Sequence, residues 1–166
     1  SNVSSVNINV LCKHCQHYAI AMKTYHHGNL KKELIKCACV MCERDGYTKL
    51  SIRSLAKESK VSQTAPYRHF KTKEDLYAAI VKEGFDKLNK KMMSIKIKDS
   101  KNYLIGCGKT YIDFGLNNAN TYDLMFGTAV GNYADYPDLS ESANNLFQFL
   151  LSSFRKLSDD DDEIVA

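Results

Sequence analysis

The stretch Val61–Phe70, VSQTAPYRHF, places a serine, a mid-segment proline and a Tyr-Arg-His-Phe cluster side by side. Read locally, Ser62 is the N-cap of a short helix over about 63–70, which puts Pro66 at its fourth position. There the missing N–H forfeits only the bond to the cap's own carbonyl, and the ring disturbs only the start of the helix. Such a segment is too short to stand alone and must be held by its neighbours. Val61 and Phe70 supply apolar anchors, while Tyr67, Arg68 and His69 add hydrogen-bond donors at the exposed end.

Upstream, Ser51 caps a second short helix that buries Ile52, Leu55 and Ala56 and ends near Ser59. Lys60 and Val61 alone separate it from Ser62. Two short helices joined this tightly form a helix-turn-helix, whose second helix enters a DNA major groove. Before it, Leu30, Leu34, Cys37, Ala38 and Met41 make one apolar stripe of a helix over about 29–45, stopped by Gly46. After it, Thr72 caps a long helix reaching about Met93, with Asp75 as capping-box partner and Leu76, Ile80 and Leu88 on its apolar face. A polar break at Lys98–Ser100 precedes helices near 101–116, 122–127 and 138–157, the last two joined by a Gly/Asn/Tyr/Pro-bearing connection. The pattern predicts an all-α chain. Its parts are a flexible arm over 1–24, a DNA-binding unit over 25–71 and a helical unit over 72–166.

At 166 residues, with 44% hydrophobic and 25% charged residues, the composition is that of a soluble globular protein. No apolar run approaches a membrane span and no secretory leader opens the sequence, so the expectation is a cytosolic protein. Three of the six cysteines, Cys37, Cys39 and Cys42, fall in one predicted helix, which favours reduced thiols over disulfides. The net charge of +4 hides an asymmetry: Met22–Asp75 holds 12 Lys+Arg against 6 Asp+Glu, whereas Asp99–Ala166 holds 4 against 11. The basic half is suited to a polyanion, the acidic half is not. The sequence has no phosphate-cradling Gly-rich loop, serine elbow, paired-carboxylate site or His-Glu metal helix, so neither catalysis nor a cofactor is expected.

The run YHHGNLKKELIKCACVMCERDGYTKLSIRSLAKESKVSQTAPYRHFKTKEDLYAAIV resembles the DNA-binding domain of the TetR/AcrR family of transcriptional regulators. Together with the later YIDFGLNNANTYDLMFG it is similar to the branch whose C-terminal ligand-binding domain carries a Trp-His-Gly motif, over about Tyr25–Ser158. Lys60 stands where that family usually has glycine, which implies a left-handed residue with a Cβ at a cost of roughly 1 kcal/mol. The chain ends at DDDDEIVA and contains no Trp, whereas the family continues into two further helices that build most of its dimer interface. The acidic run Asp159–Glu163 is expected to start the first of these, because carboxylates are favoured at a helix N-terminus.

Ser51, Tyr67, His69, Lys71 and Lys73, with Thr48 beside them, are the expected phosphate contacts, since hydroxyl, imidazole and ammonium groups near helix starts grip the backbone without reading sequence. By resemblance and position, Arg53, Gln63, Thr64 and Arg68 are the expected base readers, Arg suiting guanine and Gln adenine. Tyr103, Tyr111, Phe114, Tyr122, Met125, Phe126, Tyr133 and Phe147 are candidates for the wall of an apolar ligand cavity, although residues at such spacing also serve as plain core. The resemblance implies a ligand-responsive repressor that reads a palindromic operator as a homodimer, the ligand shifting the helix that begins at Thr72. One alternative is a truncated interaction protein that does not repress. The other is a zinc or redox module centred on Cys12 and Cys15 of CKHCQH, which offers His17 with them and has His14 and His26 nearby.

Overall fold

The computed structural model describes residues 29–97 and 99–165, and these form six α-helices joined by short turns, with no strand among them. The predicted arm over 1–24 lies outside the described residues, as do Cys12, His14, Cys15, His17 and His26. Helix α1 spans Leu30–Asp45 and buries Leu34, Cys37, Ala38 and Met41 of the expected stripe, together with Cys42, while Leu30 is half-buried. Gly46 ends it at φ 83°, a left-handed conformation open to glycine at little steric cost.

A single 3-10 turn, Tyr47–Lys49, leads into α2, Ile52–Glu58. At its start the Ser51 hydroxyl accepts from Ser54 N–H at 3.0 Å and the Ser54 hydroxyl accepts from Ser51 N–H at 2.9 Å, a reciprocal capping box built from two serines. Lys60 follows at φ 54°, the left-handed residue that the turn demands. Arg44 bonds both Asp45 and Glu58, the latter at 2.9 Å, and so ties the last turn of α1 to the last turn of α2.

The segment after Lys60 differs from the expected helix. Gln63–Ala65 form a turn and Pro66–Arg68 a single 3-10 turn, and Ser62 is not its cap. Pro66 is the cause: without an N–H it cannot donate to the Ser62 carbonyl, which instead accepts from Ala65 at 3.0 Å. Arg68 and His69 then donate to carbonyls three residues back at 3.3 and 2.9 Å, before Phe70 returns to four-residue spacing and donates to the Pro66 carbonyl at 2.9 Å. Pro66 therefore occupies the first position of a 3-10 turn, not the fourth of an α-helix, and is buried there beside Phe70.

Helix α3, Lys73–Met93, begins with the expected box, in which the Thr72 hydroxyl accepts from Asp75 N–H at 3.0 Å while Asp75 accepts from Thr72 N–H at 2.9 Å. It runs through the middle of the molecule and packs against α1, α4 (Ser100–Asn117), α5 (Ala119–Phe126) and α6 (Pro137–Val165). Leu76, Ile80, Val81 and Leu88 are fully buried along it, each contributing about 1.5–3 kcal/mol of burial energy. Gly84 lets α5 come close, since a Cβ there would lie 2.5 Å from Met125 Sδ and 2.9 Å from Thr121 Cγ2.

Helix α6 corrects the reading of the acidic run. It continues through Asp159–Glu163 to Val165 as one helix, so the run does not start a new one. Between Pro137 and Val165 there is neither a glycine nor a second proline to stop the helix, and that outweighs the preference of carboxylates for an N-terminus.

Candidate nucleic-acid interface

Two buried anchors, Pro66 and Phe70, hold the 62–70 segment against α2, so the side chains between them turn outward. Gln63, Thr64, Tyr67 and Arg68 are exposed on this segment, with Tyr67 44% exposed despite its ring, and His69 is half-buried beside Phe70. Arg53 is exposed on α2, Thr48 on the preceding turn, and Lys71 and Lys73 at the start of α3. All ten residues expected at a DNA interface thus lie within a short span of two helix starts and two turns.

They are not equally free. Ser51 is half-buried and its hydroxyl is engaged with Ser54. Lys73 Nζ donates to the Thr48 carbonyl at 3.2 Å and stands 5.2 Å from the centre of the Tyr77 ring, a cation–π distance. Tyr77 in turn donates its hydroxyl to the Tyr47 carbonyl at 2.6 Å. Lys73 and Tyr77 together brace the 47–49 turn against α3. Lys57 in the last turn of α2 and Lys60 in the turn after it are also exposed.

The eight ligand-set residues do not gather around one space. Tyr111, Tyr122 and Phe126 form a close cluster, with Tyr122 and Phe126 ring centres 4.7 Å apart and the Tyr111 and Tyr122 hydroxyls 3.0 Å apart. Phe85, which the sequence reading passed over as part of a long helix, joins Phe126 to Tyr133, whose hydroxyl donates to the Met125 carbonyl. Burial, and then the bond to Tyr122, push the Tyr111 hydroxyl above its ordinary pKa. Phe114 and Met125 are core residues. Tyr103 lies apart beside Phe149, and Phe147 is 57% exposed on α6. An open groove sits elsewhere, between the end of α3 and α6, lined by Asp86, Asn89, Lys90, Met93, Ser94 and Asn145.

The thiols of α1 and α4 are free. Burial pushes the Cys42 thiol up to about 12 and raises those of Cys37, Cys39 and Cys107 as well. Neutral thiols are poor nucleophiles and poor metal ligands. Among the described residues no helix is long and apolar enough to cross a membrane.

Comparison with known proteins bears on the same region. Residues 34–80, which hold most of α1, all of α2, the 62–70 segment and the first part of α3, match the family model described as bacterial regulatory proteins, tetR family. No curated protein matches the chain. The whole described fold is similar to several solved structures, among them these three. The first is a protein of unknown function from Rhodococcus sp. RHA1, 23% identical, TM-score 0.67, covering 82% of this chain and 72% of that one. The second is a TetR-family transcriptional regulator from Bordetella parapertussis 12822, 18% identical, TM-score 0.58, covering 81% and 71%. The third is a TetR variant from Acinetobacter baumannii AYE in complex with minocycline, 18% identical, TM-score 0.51, covering 81% and 85%. The fold is therefore that of a TetR-type regulator: an N-terminal helix-turn-helix domain followed by a helical domain.

Proposed function

We propose that this protein is a DNA-binding transcriptional regulator, and that the surface from Thr48 to Lys73 is its DNA interface. The observation that carries the reading is the outward row Gln63, Thr64, Tyr67 and Arg68, held on a turn pinned by Pro66 and Phe70 inside the region that matches the regulator family. Arg68 and Gln63 supply groups that pair with guanine and adenine edges. Tyr67, His69, Lys71, Thr48 and Arg53 flank them with donors for phosphate oxygens or further base edges.

The finer reading is a ligand-responsive repressor that grips two half-sites as a homodimer. Ile112 and Leu116 on α4 and Phe147 and Phe154 on α6 are each more than half exposed, apolar surface of the kind that pairs two copies. The Tyr111, Tyr122, Phe126 cluster, half-open at Phe126, is where an apolar effector would press on the fold. The minocycline complex of a similar structure supports a small-molecule effector of some kind, without identifying this one.

The test is selection of duplexes from a random pool, followed by affinity measurement over a range of salt. Sequence-dependent binding that weakens steeply with salt is the expected result. Binding that stays equally weak for every sequence would remove the regulator reading.

A further inference from the structure

Helix α5 is eight residues long and has no local cap: Asn118 precedes it, but the Asn118 side chain caps nothing there. Instead Asn118 accepts from Lys87 Nζ at 2.6 Å and donates to the Phe114 carbonyl at 2.8 Å. The free N–H at the third position of α5, that of Thr121, donates to the carboxylate of Glu43 at 2.7 Å, from the last full turn of α1 and 78 residues away in sequence. Asn120 Nδ2 donates to the Glu43 carbonyl at 2.9 Å, so both the side chain and the backbone of Glu43 engage the same helical turn. A carboxylate at this end also complements the helix dipole. The other side of α5 lies against α3 at Gly84, where an added Cβ would press on the side chains of Met125 and Thr121. The same short helix carries Tyr122 and Phe126 of the aromatic cluster.

We propose that Glu43 is a positioning residue: it caps α5 from the N-terminal domain and so fixes the placement of the C-terminal helices relative to the helix-turn-helix. A shift of α5 then has to move α1 or give up the cap, and α1 is tied onward to α2 through Arg44 and Glu58. Its regulatory consequence rests on the DNA-binding reading, whereas the latch itself does not.

The experiment is residue-resolved amide hydrogen exchange on the full chain, with Glu43→Ala, Glu43→Gln, Lys87→Met and the combination of Lys87→Met with Glu43→Ala. Glu43→Ala is expected to speed exchange at Thr121 by about tenfold, as loss of a helix cap does. Glu43→Gln, which keeps an acceptor oxygen, should restore most of that protection. Lys87→Met loosens the start of α5 from the α3 side, and should speed exchange over 44–50 only while Glu43 is present. Thr121 exchange unchanged by Glu43→Ala would overturn the proposal, as would a Lys87→Met effect on 44–50 of the same size in both backgrounds. If Glu43→Ala does not fold, Glu43→Gln combined with Lys87→Met carries the same comparison, with a partial loss of the effect expected and no loss overturning it. DNA titration of the same samples separates the two readings: coupling without DNA binding keeps the latch and removes the regulator.

Discussion

Arg68 and Lys73 illustrate why residues of one charge sign on one surface do different work. Arg68 is exposed, and among the described residues its side chain has no hydrogen-bond partner, which leaves its guanidinium available for a base edge. Arg68→Ala is expected to leave the fold unchanged and to cost about 1–3 kcal/mol of affinity for the selected duplex. Equal affinity of the variant for every duplex tested would take Arg68 off the recognition surface. Lys73 already holds the Thr48 carbonyl and the Tyr77 ring, so Lys73→Ala should lower thermal stability as well as DNA affinity. At Gly46 the constraint is backbone alone: at φ 83° a Cβ is strained whatever the space around it. Gly46→Ala should therefore cost about 1–3 kcal/mol in urea unfolding. The buried thiols give a pH signature. Folding raises the Cys37 and Cys42 pKa values through burial, so the native state keeps protons that the unfolded chain loses above its ordinary thiol pKa. Their contribution is complete below about pH 8.5 and declines as the pH rises toward about 12, the Cys42 value. Replacing both by Ala should flatten the alkaline fall in stability, and an unaltered slope would count against it.

Among the elements, the capped helices were readable because a cap is a short-range pattern. Thr72 and Asp75 stand three residues apart, and the box they predict is the box that forms. Thr72→Ala should cost about 1 kcal/mol of stability by chemical denaturation, and no change would mean that α3 is held by packing alone. The 62–70 segment was legible as to place but not as to shape. The serine, the proline and the apolar anchors marked a turn and a short helical stretch, but with the N–H missing at Pro66 the bonds of Arg68 and His69 take three-residue spacing before Phe70 returns to four, and sequence pattern does not resolve that difference. The acidic run misled for the opposite reason: a favourable local preference was present without any breaker to create the helix start it needed. The cap on α5 was illegible because its partner, Glu43, is remote in sequence and looks like any exposed acid on an amphipathic helix. The aromatic residues of α4 and α5 had a spacing that fits core and cavity alike, and only their mutual ring contacts show how they associate.

For the molecule as a whole, charge and apolar exposure act on DNA binding through different observables. The basic N-terminal half sets the salt dependence: each phosphate neutralised contributes about 0.9 to the slope of log affinity against log salt. The apolar residues Ile112 and Leu116 on α4 and Phe147 and Phe154 on α6 lie outside the proposed DNA interface, and Leu116 is 76% exposed. If they join two copies, sedimentation of the native chain should give twice the chain mass, and replacing Phe147 and Phe154 by Glu should return the single-chain mass with helix content intact. That variant keeps every residue of the proposed DNA interface, so affinity for an isolated half-site should be nearly unchanged. Affinity for a paired site should fall by two orders of magnitude or more, because the second half-site then has to be bound from solution instead of at the effective concentration, on the order of millimolar, that dimerisation provides. The salt slope on the paired site should fall to about half as well, since one protein copy would neutralise half of the phosphates. A native chain that sediments at single-chain mass while binding a paired site with the full slope would remove the homodimer from the mechanism and leave two independent copies on one site.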